Sequence, residues 1–230
     1  MHHDWEELAE GVYRTRLPFL DVTVGAVAAD YGVLLIDCGT NLVEAEAIAD
    51  DVRELTGRNV SHVVMTHNHF DHILGSAGFK HAVSYAAPPV AAALDGGLAA
   101  LCAEALRYGA DPGQVAAAGR AVRPPDQLVW DVDIDLGGRS ARVRHPGRGH
   151  TDHDLIVVIP GDPKVVFCGD LVEQSADPAV GDDAEPTAWP ATIDRVLAMG
   201  GEDAVYVPGH GAVVDAAFLR RQRDWLRSRY

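Results

Sequence analysis

The sequence predicts an α+β protein, a four-layer αββα sandwich in which two mixed β-sheets stack face to face with helices outside. Two runs of short strands, each followed by helical segments, carry that reading, because a sheet with an apolar face must bury it against another layer. No shift in composition divides the chain, and Pro124-Pro125 is the only plausible joint, so residues 1–230 read as a single domain.

The elements follow in order. Val12 to Leu17, Val22 to Ala29 and Gly32 to Asp37 are short β-rich stretches that read as a meander. From Leu42 to Leu55 the apolar set Ala45, Ile48, Ala49, Val52 and Leu55 keeps the 3.6-residue period of a helix, and Asn41 followed by Glu44 resembles a capping box. Strand His62 to Met65 runs straight into a histidine-rich segment. Pro88 to Gly119 is alanine-rich and broken at Gly96-Gly97 and Asp111-Pro112, which predicts two or three short helices covering one edge, with no chemistry in them. Strands then follow at Val132 to Leu136, Arg139 to His145, Leu155 to Ile159 and Val165 to Phe167. Helix Trp189 to Met199, strand Ala204 to Val207 and helix Ala216 to Tyr230 close the chain.

With 47% hydrophobic and 23% charged residues the chain has an ordinary globular composition, which excludes disordered and fibrous classes. Nineteen Lys and Arg against 34 Asp and Glu leave a net charge of −15. Nucleic acid or an anionic membrane would be approached against that field, so neither is expected as a partner; a small-molecule substrate is. No apolar run approaches the roughly 20 residues of a membrane span, and Met1 to Glu7 lacks a basic segment followed by an apolar one, so a cytoplasmic location is expected. Cys38, Cys102 and Cys168 are odd in number and widely spaced, unlike a disulfide framework.

The chemistry concentrates in Thr66-His67-Asn68-His69-Phe70-Asp71-His72. Side chains at i and i+2 of an extended segment point the same way, so His67 and His69 can grip one metal ion from a strand-end loop, with Asp71 and His72 turned toward a second. Further candidates stand beside glycines at element ends: His150 in Gly147-Arg148-Gly149-His150-Thr151, Asp170 in Cys168-Gly169-Asp170, and His210 in Pro208-Gly209-His210-Gly211. Glycine lets the backbone turn tightly there while a short polar side chain projects from the sheet rim.

In that order, with Gly75 after the histidine segment, these motifs resemble the metallo-β-lactamase superfamily from Asp37 to His210. The resemblance implies one metal on His67, His69 and His150, a second on Asp71, His72 and His210, and Asp170 bridging them. Asp37 matches the family's buried aspartate that supports the histidines. Two zinc ions are implied; a ligand set without thiolate also accepts iron or manganese. A water shared by such ions has its pKa lowered to about 7 and serves as nucleophile, with Asp71 as the catalytic group that orients it and relays its proton.

Gly149 to Asp152 and Gly181 to Pro190 resemble the cysteine-ligand zinc β-lactamases, but the chain departs from them. Those enzymes carry cysteine where Asp170 stands, lack the histidine at 72, and place a lysine where Glu173 stands to bind the drug carboxylate, which Glu173 would repel. Asp170 and His72 match the broader branch of thioesterases and lactonases. The short basic tail from Arg220 to Tyr230 reads as a solvated helix face rather than a glutathione-binding domain. Phe70, His153, Glu173 and Trp189 are the expected substrate-pocket residues, with Phe19 to Asp21 and Gln174 to Trp189 as wall loops. The expected function is a dinuclear metal-dependent hydrolase of a small ester, thioester or lactone. The alternatives are a weak or promiscuous zinc β-lactamase and, from another class, a mononuclear iron oxygenase resembling the persulfide dioxygenases.

Overall fold

A computed structural model describes residues 1–230. Strands β1 (Glu6–Ala9), β2 (Val12–Arg16), β3 (Thr23–Ala29), β4 (Gly32–Ile36), β5 (Val60–Val64), β6 (Val83–Ala86) and β7 (Gln127–Leu128) form one sheet in sequential order. The first four pair antiparallel, and β4 through β7 pair parallel. The second sheet contains β8 (Asp131–Asp135), β9 (Ser140–Arg144), β10 (Ile156–Ile159), β11 (Val165–Glu173) and β12 (Val205–His210), antiparallel except for the parallel pair β11 and β12. Both sheets are therefore mixed.

Three apolar layers hold the sandwich together, and β4 shows how one strand serves two of them. All five of its residues are buried. Because side chains alternate across a strand, Leu34 and Ile36 face the second sheet with Phe167 and Val207, while Val33 and Leu35 face the helices outside. Helix α1 (Leu42–Thr56) covers that outer face with Ala45, Ile48 and Val52, each fully buried; Ile48 alone contributes about 1.5–3 kcal/mol. Asn41 caps α1 by accepting from the Val43 and Glu44 amides, and Gly57 ends it in the left-handed region at φ 68°. The Glu44 carboxylate takes the Thr40 amide at 2.7 Å.

Helices α3 (Pro88–Asp95), α4 (Leu98–Arg107) and α5 (Pro112–Ala121) complete the first outer layer, and α6 (Trp189–Gly200) and α7 (Ala216–Arg227) form the second. The basic face of α7 is taken up by ion pairs, among them Arg223 and Arg227 with Asp194 at 2.7 and 2.8 Å. No single helix is long and apolar enough to cross a membrane.

Three details differ from the sequence expectation. Strands β1, β6 and β7 are too short or too polar to stand out as runs. The chain crosses between sheets from Leu128 to Asp131, beyond Pro124-Pro125. Strand β11 continues past Phe167 to Glu173, because Gly169, at φ 53°, bulges the pairing with β12 and lets the strand run on with polar residues in it.

Candidate metal centre

The parallel strands end at one rim, and every motif of the sequence converges there. Asp37 follows β4, His67 and His69 follow β5, and helix α2 (Phe70–Ile73) carries Asp71 and His72. His150 lies on the loop before β10, Asp170 is within β11, and His210 ends β12. His67, His69, His150 and Asp170 bring one ligand atom each within 4.8 Å of one another, as do Asp71, His72 and His210. Asp170 lies between the groups: Oδ1 is 3.2 Å from His72 Nε2, while Oδ2 is 3.5 Å from His150 Nε2 and 3.3 Å from His210 Nε2.

Each of the five imidazoles is oriented by an acceptor behind it. His72 Nδ1 donates to Asp37 at 2.8 Å, His210 Nδ1 to the Leu20 carbonyl at 2.8 Å, and His150 Nδ1 to the Ala179 carbonyl at 3.1 Å. His67 Nδ1 donates to Thr66 Oγ1 at 2.9 Å, whose hydroxyl donates on to Asp37 at 2.8 Å. His69 is reversed, with Nε2 donating to Asp183 at 3.0 Å and Nδ1 facing inward. The outer hydrogen bonds fix the tautomers, so the inner nitrogens present lone pairs. His69 Nδ1 and His150 Nε2 meet at 2.9 Å, and His72 Nε2 and His210 Nε2 at 3.4 Å. Paired lone pairs at that range require a cation between them, a proton or a metal ion, and His67 Nε2 and Asp170 Oδ1 are buried with no hydrogen-bond partner. The donor set of neutral imidazoles and carboxylates fits zinc, iron or manganese.

The electrostatics sharpen that competition. Burial lowers His67 well below the usual histidine range, and lowers His150 to about 4 against the pull of Asp170. Burial also opposes charge on His72 and His210, but the surrounding carboxylates together outweigh it, Asp170 first, then Asp71 and, for His72, Asp37, raising His72 well above its ordinary value and His210 to about 9. Asp170 itself, which burial would push up, is held well below the carboxylate range by His72, His210 and His67. Protons and metal ions compete for the same lone pairs, so metal affinity falls with pH.

Two glycines and one turn make the geometry possible. A Cβ on Gly209 would overlap the Asp170 carboxylate, and one on Gly149 would meet Leu171 and Trp189. Asp154 closes the His150 turn by accepting from the Thr151 amide at 2.9 Å and hydroxyl at 2.8 Å. Burial pushes Asp154 up to about 8.

The cluster opens into a cavity of about 490 Å³. Phe70 and Glu173 line it, as the sequence suggests, and so do Leu20 and Asp183 from the expected wall loops. Two assignments are corrected. Trp189 is fully buried beneath the His150 ring, centroids 5.8 Å apart, with its indole N–H on the Leu171 carbonyl; it supports the loop from behind. His153 is also buried and does not line the cavity; its Nδ1 bonds Asp152 at 2.8 Å, and its Nε2 has no hydrogen-bond partner. The alanine-rich helices, from which no chemistry was expected, supply Leu101, Glu104 and Arg107 to the wall, and Tyr108 follows them. Only the charges on one face of α4 hint at this in the sequence.

Residues 17–210 match the family model described as the metallo-beta-lactamase superfamily. A protein named metallo-beta-lactamase type 2 from Bacillus cereus is 25% identical over 199 residues, covering 85% of this chain and 69% of that one. Its namesake from Pseudomonas aeruginosa is 25% identical over 223 residues, covering 94% and 81%. Among solved structures, a metallo-beta-lactamase from Pontibacter korlensis superposes with a TM-score of 0.74 at 20% identity, covering 99% of this chain and all of that one. One from Hirschia baltica gives 0.72 at 14% identity over 97% of each. Likeness at that identity shows the fold.

Proposed function

The chain belongs to the metallo-beta-lactamase superfamily of metal-dependent hydrolases, and we propose that it cleaves a small ester, thioester or lactone at a dinuclear centre. The observation that carries this reading is the convergence of five inward imidazole nitrogens around Asp170, each imidazole fixed from behind. His67, His69 and His150 would hold one ion and Asp71, His72 and His210 the other, with Asp170 between. Bound there, the pair would supply a Lewis acid for a carbonyl oxygen and a water acidified to near neutrality. Asp71 lines the cavity with its Oδ2 3.5 Å from His210 Nε2, in place to orient that water and take its proton. Phe70 and Leu101 give the carbonyl group an apolar wall. A single-iron oxygenase would not need His72 and His210, which here join Asp71 in a second group.

Hydrolysis of an ester, thioester and lactone panel by zinc- and manganese-loaded protein tests the reading. Turnover above the metal-free control, reduced at least about 100-fold in Asp71→Asn, is expected. No turnover above that control contradicts it.

The names of the relatives favour a second reading, a weak or promiscuous zinc β-lactamase. Glu173 argues against it by opposing the carboxylate such drugs carry. Nitrocefin hydrolysis that rises in Glu173→Lys would support the lactamase reading, and none in either form would count against it.

A further inference from the structure

The acceptor behind His210 differs in kind from those behind its neighbours. His67 and His72 are tied to the buried Asp37, but His210 Nδ1 donates to the carbonyl of Leu20, on the loop from Leu17 to Val22 that joins β2 to β3. The Leu17 amide closes that loop on the Val22 carbonyl at 2.8 Å, and Val22 makes an isolated antiparallel bridge to His210. A hairpin of the first sheet therefore grips the last residue of β12 in the second.

Two consecutive residues of the loop, Leu20 and Asp21, have left-handed backbone, at φ 57° and 60°. Aspartate tolerates that region and leucine rarely does, so the conformation persists only where its surroundings impose it. Arg16, at the end of β2, clamps the loop there: its Nε donates to Asp21 Oδ1 at 2.6 Å and its Nη2 to Oδ2, a fork on both carboxylate oxygens. Two residues earlier, the buried Arg14 donates from Nε to Glu6 and from Nη1 to the Gly211 carbonyl, each at 2.8 Å, so the same strand also holds the residue after His210. The side chains of Arg16 and Asp21 are 45% and 33% exposed, and exposed pairs add little to global stability. What this pair fixes is local geometry.

Resting on the dinuclear reading above, we infer that Arg16 is a positioning residue for the second metal position: through Asp21 it holds the left-handed Leu20, whose carbonyl sets the tautomer and direction of His210. Arg14 is the fixed base from which it acts. Affinity for the ion on Asp71, His72 and His210 is therefore set in part from the surface, separately from the ion on His67, His69 and His150.

Zinc titration against a chromophoric chelator tests the inference, the binding step that His210→Ala removes marking the second ion. Arg16→Met is expected to weaken that step at least about tenfold and the other less than about twofold, with the unfolding midpoint of the metal-free protein unchanged. Arg16→Lys should restore part of the loss, because an ammonium cannot make the fork. Asp21→Asn keeps a side chain suited to left-handed backbone and should match Arg16→Met, and the double variant should bind no more weakly than either single one. The gap between parent and Arg16→Met should shrink as salt is raised. In zinc-loaded protein, exchange of the His210 Nδ1 hydrogen, followed by NMR, should speed up in Arg16→Met while that of His72 holds. Equal weakening of both steps, an unchanged second step, additive losses in the double variant, or exchange rising alike at both histidines overturns the proposal. A parent protein with a single zinc step defeats the dinuclear reading alone, and the clamp then stands or falls on the two exchange rates.

Discussion

The Asp37 carboxylate accepts the Nδ1 hydrogen of His72 at 2.8 Å from a residue whose own backbone sits in the left-handed region, at φ 60°. The same side chain takes the Thr66 amide and hydroxyl, both at 2.8 Å, and through that hydroxyl holds His67. One buried aspartate therefore orients a histidine in each proposed ligand group. The left-handed backbone costs about 1–3 kcal/mol in a residue with a Cβ, and persists because four polar groups depend on its placement.

Replacing Asp37 separates those two effects. Asp37→Ala and Asp37→Gly should both weaken zinc binding about 10–100-fold, because the His72 and Thr66 hydrogen bonds are gone in each. The glycine variant alone relieves the backbone and should melt higher than the alanine variant. Competition against a chromophoric chelator and thermal unfolding of the metal-free proteins check both parts.

Gly209 tests the crowding around Asp170. Gly209→Ala places a Cβ on the Asp170 carboxylate and should cost about 1–3 kcal/mol, with metal content falling as it does in Asp170→Ala. Full metal content in Gly209→Ala would show that Asp170 has room to move aside.

Trp189, corrected from cavity wall to buried support, makes a prediction of its own. Trp189→Ala should destabilise the fold by about 3–5 kcal/mol through loss of volume beneath His150. Trp189→Phe keeps most of that volume and loses the bond to the Leu171 carbonyl, so about 0.5–1.5 kcal/mol is expected, with KM little changed. A large rise in KM in the phenylalanine variant would return Trp189 to the cavity.

Much of this site was legible because its ligands occupy one dense segment and three glycine-flanked strand ends, where apolar periodicity gives way to polar residues. The outer partners were less legible. Asp183 and the carbonyls of Leu20 and Ala179 reach the histidines from loops with no periodic signal, and backbone acceptors carry no sequence signature at all. The sandwich could be read from strand and helix runs. The short strands β1, β6 and β7 could not, and the polar end of β11 depends on a bulge at Gly169. The α4 wall was missed because a helix covering one face with Leu101 and Ala105 turns Glu104 and Arg107 to whatever lies beside it.

Away from the metal centre, Asp51 anchors the amino-terminal segment. Fully buried, it accepts from the His2 and His3 amides, His3 Nδ1 and Trp5 Nε1. Burial pushes its carboxyl up, but these hydrogen bonds, led by that from His2, outweigh it and leave Asp51 below its ordinary 3.8. A depressed folded pKa means stability present above that ordinary value and lost as pH falls through the folded one. Asp51→Asn should therefore cost about 1.5–3 kcal/mol at neutral pH, with the gap to the parent protein narrowing below pH 4. Denaturant unfolding across pH checks this; a gap independent of pH would contradict it.

The most direct measurement of the dinuclear centre is metal content per chain in purified protein, with Asp170→Ala and the double variant His72→Ala, His210→Ala run alongside. About two metal ions per chain, falling to one or fewer in both variants, is the expected result. A single iron per chain, retained in full by the double variant, would contradict it.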